Sequence, residues 1–203
     1  MVGNNYNDDD ANDTPVLNIL PPPELHLMIG VVNKMYAEME KIWLKSEQWL
    51  DSCNVKKEAY HGGTFAVNES RKLLKNVNRL EVLSPPSQCE NYVVAFKSFN
   101  EVVASCYGKE LRPDFLDKIR IFTRDYMRLG ISVTPKVHAV MYHVGEFCAL
   151  TGMGLAPWSE QTGESVHHDF NETWKKFKVN NVQRPIYAAQ LLKAVCMYNS
   201  QHI

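Results

Sequence analysis

The chain has 203 residues, 45% of them hydrophobic, with 22 Lys and Arg against 23 Asp and Glu. That length and apolar fraction suffice for a buried core. The near-zero net charge excludes a wholesale basic surface for nucleic acid but leaves room for a local basic patch.

No apolar run approaches the length of a membrane span, and the N-terminus lacks a charged-then-apolar leader pattern. The five cysteines, Cys53, Cys89, Cys106, Cys148 and Cys196, include no CxxC. This usage predicts reduced thiols in an intracellular protein, most of them acting as small buried apolar residues.

Residues 1–20 read as a disordered acidic and polar tail containing Asp8-Asp9-Asp10, too poor in apolar residues to offset the entropy of ordering. Residues 21–203 read as a single helical domain. Pro21-Pro22-Pro23 stiffens the entry to a first helix over 23–51, with Leu25, Met28, Val32, Met35, Met39, Ile42 and Trp49 at three- and four-residue steps. At 1.5 Å per residue that helix is about 42 Å long. His61-Gly62-Gly63 marks a turn. Asn68 is a candidate cap for a second helix through Leu80, which Ser84-Pro85-Pro86 stops.

A third helix is predicted over 89–107, ending at Gly108. Pro113 and Asp114 start a fourth that carries Phe115, Ile119, Phe122, Tyr126 and Leu129 on one face. Thr134-Pro135, N-cap then first helical position, opens a fifth through Leu150. A loop over 151–157 precedes a sixth helix over about 159–178, and Pro185 opens a seventh ending near Asn199. The predicted fold class is therefore mainly α, about seven helices with a long first one and no complete sheet.

Three constellations carry chemistry. Trp158-Ser-Glu160-Gln-Thr-Gly163-Glu164-Ser-Val-His167-His168 packs two carboxylates and two imidazoles together. On a helix, Glu160, Glu164 and His168 share a face, because positions four apart nearly eclipse. The segment is either an ordinary polar helix face or part of a metal site. One carboxylate can be one ligand of a two-metal Mg²⁺ or Mn²⁺ centre, and Glu164, His167 and His168 can supply part of a zinc hydrolase set. The second constellation is His138 and His143, whose spacing of five sets them about 140° apart on an ideal helix. They are either two separate histidines or a pair that needs a bent helix. The third is basic with aromatics: Trp174-Lys175-Lys176-Phe177-Lys178 with Arg184, and Arg71-Lys72 with Lys75. Each is either a solvated face or a phosphate contact.

Taken in order, these pieces resemble the C-terminal part of the catalytic subunit of the V(D)J recombinase and the related Transib transposases. Leu25-His26-Leu27-Met28-Ile29-Gly30 is similar to that family's Leu-His-x-x-Ile-Gly segment at the head of a long helix. Asn68-Glu-Ser-Arg71-Lys72-Leu73 resembles its Asn-x-x-Arg-Lys-Leu stretch. His138 and His143 match, at the same spacing, a histidine pair that completes a zinc site. Trp158 to Ser165 resembles the landmarks around the last active-site glutamate. The likeness covers about residues 19–200.

The resemblance implies the helical insertion and last helix of an RNase H-like DDE transposase, nuclear localisation, a DNA partner, Mg²⁺ or Mn²⁺, and Zn²⁺. It matches Glu164, or as second choice Glu160, to the metal-binding glutamate. His138 and His143 match half of a zinc site. Lys175, Lys176, Lys178, Arg71 and Lys72 become candidate nucleic-acid contacts. The family's two catalytic aspartates and its zinc-binding CxxC lie upstream of every segment matched here. The expectation is accordingly a transposon-derived fragment that does not cleave or join DNA by itself, with residual DNA or partner binding. The alternatives are a helical interaction module without a DNA role and a metal-dependent hydrolase built on Glu164, His167 and His168.

Overall fold

A computed structural model describes residues 21–58, 63–159, 169–177 and 183–202. They fall into two compact units, one ending at Pro157 and one beginning at Trp158. The described residues are helical, with no strand; their one β-type pairing is an isolated bridge between Glu58 and Thr64 beside the turn at Gly63.

The first unit contains α1 (Glu24–Ile42), α2 (Glu47–Cys53), α3 (Val67–Lys75), α4 (Val77–Val82), α5 (Glu90–Cys106), α6 (Phe115–Met127), α7 (Pro135–Tyr142) and α8 (Val144–Thr151). More, shorter helices replace the seven expected. The predicted first helix is 19 residues, about 28 Å, rather than 42 Å. No Gly or Pro breaks it. Trp49, thirteen positions beyond Tyr36, would lie about 140° around an unbroken helix from it. The chain instead leaves the helix at Trp43 (φ −129°, ψ 92°) and turns back. Trp49 then lies against Tyr36, ring centroids 6.3 Å apart, and the Tyr36 hydroxyl donates to buried Ser46 at 3.3 Å. Burial of a second Trp outweighs helix continuity.

The second expected helix divides at Asn76, whose carbonyl accepts both the Trp49 indole N–H at 3.4 Å and the Arg79 N–H at 3.0 Å. It begins at Val67, with Ala66 at the N-cap position and Asn68 already inside the first turn. The fifth divides at His143 (φ −109°, ψ −32°). Its start is as expected: the Thr134 hydroxyl accepts from the Val137 N–H at 3.3 Å, with Pro135 at the first helical position.

α1 and α5 run through the core. Val31, Val32, Met35 and Met39 of α1 and Ala95, Phe96, Phe99 and Val102 of α5 are all buried. Edge-to-face rings knit the layers: Tyr36 with Phe65 at 4.9 Å, and Trp49 with Phe96 at 5.0 Å. α6 packs along α5, where Phe122 lies 4.9 Å from Phe99. After α8, Gly154 is the residue that lets the loop close onto the end of α5. A Cβ there would lie 2.1 Å from the Gly108 carbonyl oxygen and 2.9 Å from that of Cys106. Cys53, Cys89, Cys106 and Cys148 are buried and Cys196 is exposed; all five are free thiols.

In the second unit, residues 169–175 are helical and α9 spans Ile186–His202. The expected sixth helix is not helical at Ser159 and gives way to a turn at Lys176. Edge-to-face contacts of Phe170 with Tyr198 at 5.8 Å and Trp174 with Tyr187 at 5.5 Å join the two helical segments.

Candidate functional site

The break at His143 decides the geometry of the histidine pair. An ideal helix would separate these two side chains, but here the His138 and His143 rings stand 5.1 Å apart, inclined at 66°. α7 buries Val137, Val140 and Met141 and packs on α1, while α8 approaches α6 at Gly145. A Cβ on Gly145 would come within 3.1 Å of Leu116 Cδ2. Two helical pieces meet at His143, α7 packed on α1 and α6 and α8 on α6, and the irregular turn between them carries its ring toward His138.

His138 is exposed and also stacks at 4.8 Å on Tyr142. His143 is partly buried. Its Nδ1 is sealed from solvent with no hydrogen-bond partner among the described residues, where Glu146 Oε2 stands at 3.8 Å, beyond hydrogen-bonding range. Imidazole nitrogens without partners suit a metal, but a structural zinc needs four ligands. Among the described residues no group of three or more His, Cys, Asp or Glu side chains converges. Among the described residues the pair therefore brings two imidazoles together with no third such ligand.

Glu160, Glu164, His167, His168 and Lys178 lie outside the described residues. The remaining basic candidates divide between the two units. On α3, Arg71 donates to Glu24 at 3.2 Å, with the Glu24 carboxylate almost wholly buried. Lys72 donates to the Asn54 carbonyl at 3.0 Å and lies 3.6 Å from Glu69. Both are engaged by the protein, and their helix spacing of one sends them to different neighbours. In the second unit Lys175 and Lys176 are exposed, Lys175 being paired with Glu172 one turn back. Arg184 is exposed as well.

Sequence reasoning passed over Glu24, Asn100 and Tyr107, which line a cavity of about 490 Å³ with Arg71 and Lys75. The available signal was Glu24 itself, an acidic residue on the apolar stripe of α1. No helix among the described residues is long and apolar enough to cross a membrane. Comparison with protein families, curated proteins and solved structures found no match to the chain.

Proposed function

We propose that this chain is a transposon-derived, transposase-like fragment that retains weak DNA binding and has no nuclease activity of its own. The observation that supports this reading is the approach of His138 and His143 to 5.1 Å across a broken helix. The resemblance requires such a pair, whereas an unbroken helix would keep the rings apart. In this reading Glu164 is the counterpart of one carboxylate of a three-carboxylate centre. One carboxylate does not hold two divalent cations, so no DNA chemistry is assigned to the chain alone.

The test is a nicking and strand-transfer assay of the purified chain with Mn²⁺, beside the Glu164→Gln variant. Background activity in both supports the proposal. Activity that disappears with E164Q overturns it and favours the metal-dependent hydrolase.

One observation favours a second reading, a helical interaction module without a DNA role: Arg71 and Lys72 are already engaged by Glu24 and by the Asn54 carbonyl. The salt dependence of DNA affinity separates the two. Phosphate contacts make it steep, and their loss makes it flat.

A further inference from the structure

The cavity between α1, α3 and the C-terminal half of α5 gathers polar groups that the fold itself does not use. Its wall includes Leu74, Val103 and Ala104, which are apolar, and four side chains with hydrogen-bonding capacity to spare. Tyr107 is 3% exposed, and its hydroxyl oxygen is sealed from bulk water with no partner among the described residues. The half-buried Asn100 carboxamide makes no hydrogen bond among the described residues, and the exposed Lys75, at the cavity's edge, makes no ion pair there. Arg71 commits one nitrogen to Glu24 at 3.2 Å, which leaves other guanidinium donors over.

An unused buried polar group such as the Tyr107 hydroxyl is uncommon in folded proteins and calls for a partner. The spare groups here are chiefly donors. An ammonium and a guanidinium have no acceptor lone pair, and a phenol donates one proton. Burial, the largest cause, holds the Tyr107 phenol well above its ordinary pKa, so it keeps that proton. The one carboxylate in the wall, Glu24, is already neutralised by Arg71. An acceptor-rich guest with negative charge suits these donors, while a cation meets Lys75 and Arg71. A volume of about 490 Å³ lies in the range of small-molecule sites. The adjoining cavity of about 550 Å³ shares Lys75 and Asn100 with this one but lacks Arg71 and Tyr107, and its wall adds the carboxylates of Glu81, Glu101 and Asp125, which disfavour an anion.

We propose that the cavity of Arg71, Lys75, Asn100 and Tyr107 binds a small organic anion, a carboxylate or phosphate monoester on a short apolar body. The charged head lies toward Lys75 and Arg71, and the body against Leu74, Val103 and Ala104. This site does not depend on the nucleic-acid reading and would stand if the chain bound no DNA.

The experiment titrates the full chain with benzoate, phenyl phosphate and inorganic phosphate up to about 10 mM, a range that reaches millimolar dissociation constants. Thermal unfolding and amide NMR shifts at Ala104 and Tyr107 are the readouts. Benzoate or phenyl phosphate should raise the melting temperature saturably, and the stronger of the two assigns the head. Lys75→Ala and Tyr107→Phe should each weaken that binding about tenfold, one decade in the dissociation constant. Without ligand, Tyr107→Phe should be at least as stable as the parent, because it removes a buried hydroxyl that has no partner. No response to either organic probe overturns the proposal, as does unchanged affinity in both variants. A marked loss of stability in unliganded Tyr107→Phe also overturns it, by showing that the hydroxyl is already bonded. An equal response to inorganic phosphate overturns the role of the apolar wall.

Discussion

The His138 and His143 rings stand 5.1 Å apart although their spacing would hold them on different sides of a regular helix. The interruption at His143 is imposed from outside the helix, by α7 packing on α1 and Gly145 of α8 closing on α6. A pair made this way supplies two nitrogens and leaves tetrahedral coordination half-filled. The chain purified in zinc and dialysed against a mild chelator is therefore expected to keep well under one equivalent of zinc. Stoichiometric zinc that is lost on His143→Ala would show that the other ligands come from this chain, and would move the assignment to a metal-dependent enzyme.

Two glycines with close contacts should respond differently to the same substitution. At Gly154 the obstacles are the Gly108 and Cys106 carbonyls. The first cannot move without disturbing the Ala156 N–H bond to Gly108 at 3.3 Å, the second without the Leu155 N–H bond to Cys106 at 2.8 Å. Gly154→Ala should cost about 3 kcal/mol, the upper range for overpacking. At Gly30 the closest atom is Lys136 Cδ at 2.2 Å, midway along an exposed, flexible side chain that can swing aside, although its Cβ at 3.1 Å and Cγ at 3.2 Å must also yield slightly. The gain of about 1 kcal/mol from replacing a mid-helix Gly by Ala offsets that. Gly30→Ala should leave stability within about 1 kcal/mol of the parent. Denaturant titration measures both, and equal losses would refute the distinction.

The helical class, the Thr134-Pro135 start and the burial of four cysteines were legible because each rests on local pattern or side-chain chemistry. The breaks at Trp43, Asn76 and His143 were not. No Gly or Pro marks the first two, and Gly145, two residues past the third, lies inside α8 rather than at the break. Each exists because a distant group claims the backbone or the ring: Tyr36 claims Trp49, the Trp49 indole claims the Asn76 carbonyl, and α6 claims Gly145. The same limit applies to the candidate sites. Arg71 and Lys72 look alike in sequence, and only the structure separates them, one on buried Glu24 and the other on a carbonyl of the α2 C-cap. The anion cavity was invisible because its groups come from α1, α3 and the end of α5, far apart along the chain.

Asn33 acts as a splint between α1 and the segment entering α3. Its Oδ1 accepts from the Phe65 N–H at 2.8 Å, and its Nδ2 donates to the Phe65 carbonyl at 3.2 Å and to that of Ile29 at 2.9 Å. Phe65, held this way, places its ring against Tyr36. Asn33→Ala should cost about 2 kcal/mol, for two unmet backbone groups near a buried ring. Asn33→Asp, which keeps the acceptor and loses the donor, should fall between. A loss below about 0.5 kcal/mol for the alanine variant would show the pairing to be incidental.

Alkaline stability should follow the tyrosines of the core. Burial pushes Tyr36 and Tyr126 up to about 12 from an ordinary 10.0, with the Ser46 hydrogen bond lowering Tyr36 somewhat. In the unfolded chain both ionise near 10.0, while in the folded one they stay protonated until about 12. Above the lower value the unfolded state gives up protons that the native state keeps, so stability falls as pH rises. It is fully present below pH 10 and lost between 10 and 12. Tyrosinate absorbance should therefore rise in step with loss of helical circular dichroism, and Tyr36→Phe should make the decline shallower. Titration of both phenols near pH 10 with the helices intact would contradict their burial.

The nucleic-acid reading rests chiefly on the second unit, because Arg71 and Lys72 of α3 are engaged by Glu24 and by the Asn54 carbonyl. Lys176 is exposed, and among the described residues Lys175 gives its charge only to Glu172, an exposed partner on the same helix. Such surface pairs contribute little and are readily exchanged for a phosphate. Each phosphate neutralised on duplex DNA adds about 0.9 to the slope of log affinity against log salt. Replacing Lys175 and Lys176 together by Ala should lower that slope by about 2 while leaving the fold intact, since neither side chain is buried. Replacing Lys72 should change the slope little and stability slightly, because its ammonium serves the Asn54 carbonyl. If affinity is already flat in salt for the parent chain, the helical interaction module becomes the better description, and the second unit's lysines are a solvated face.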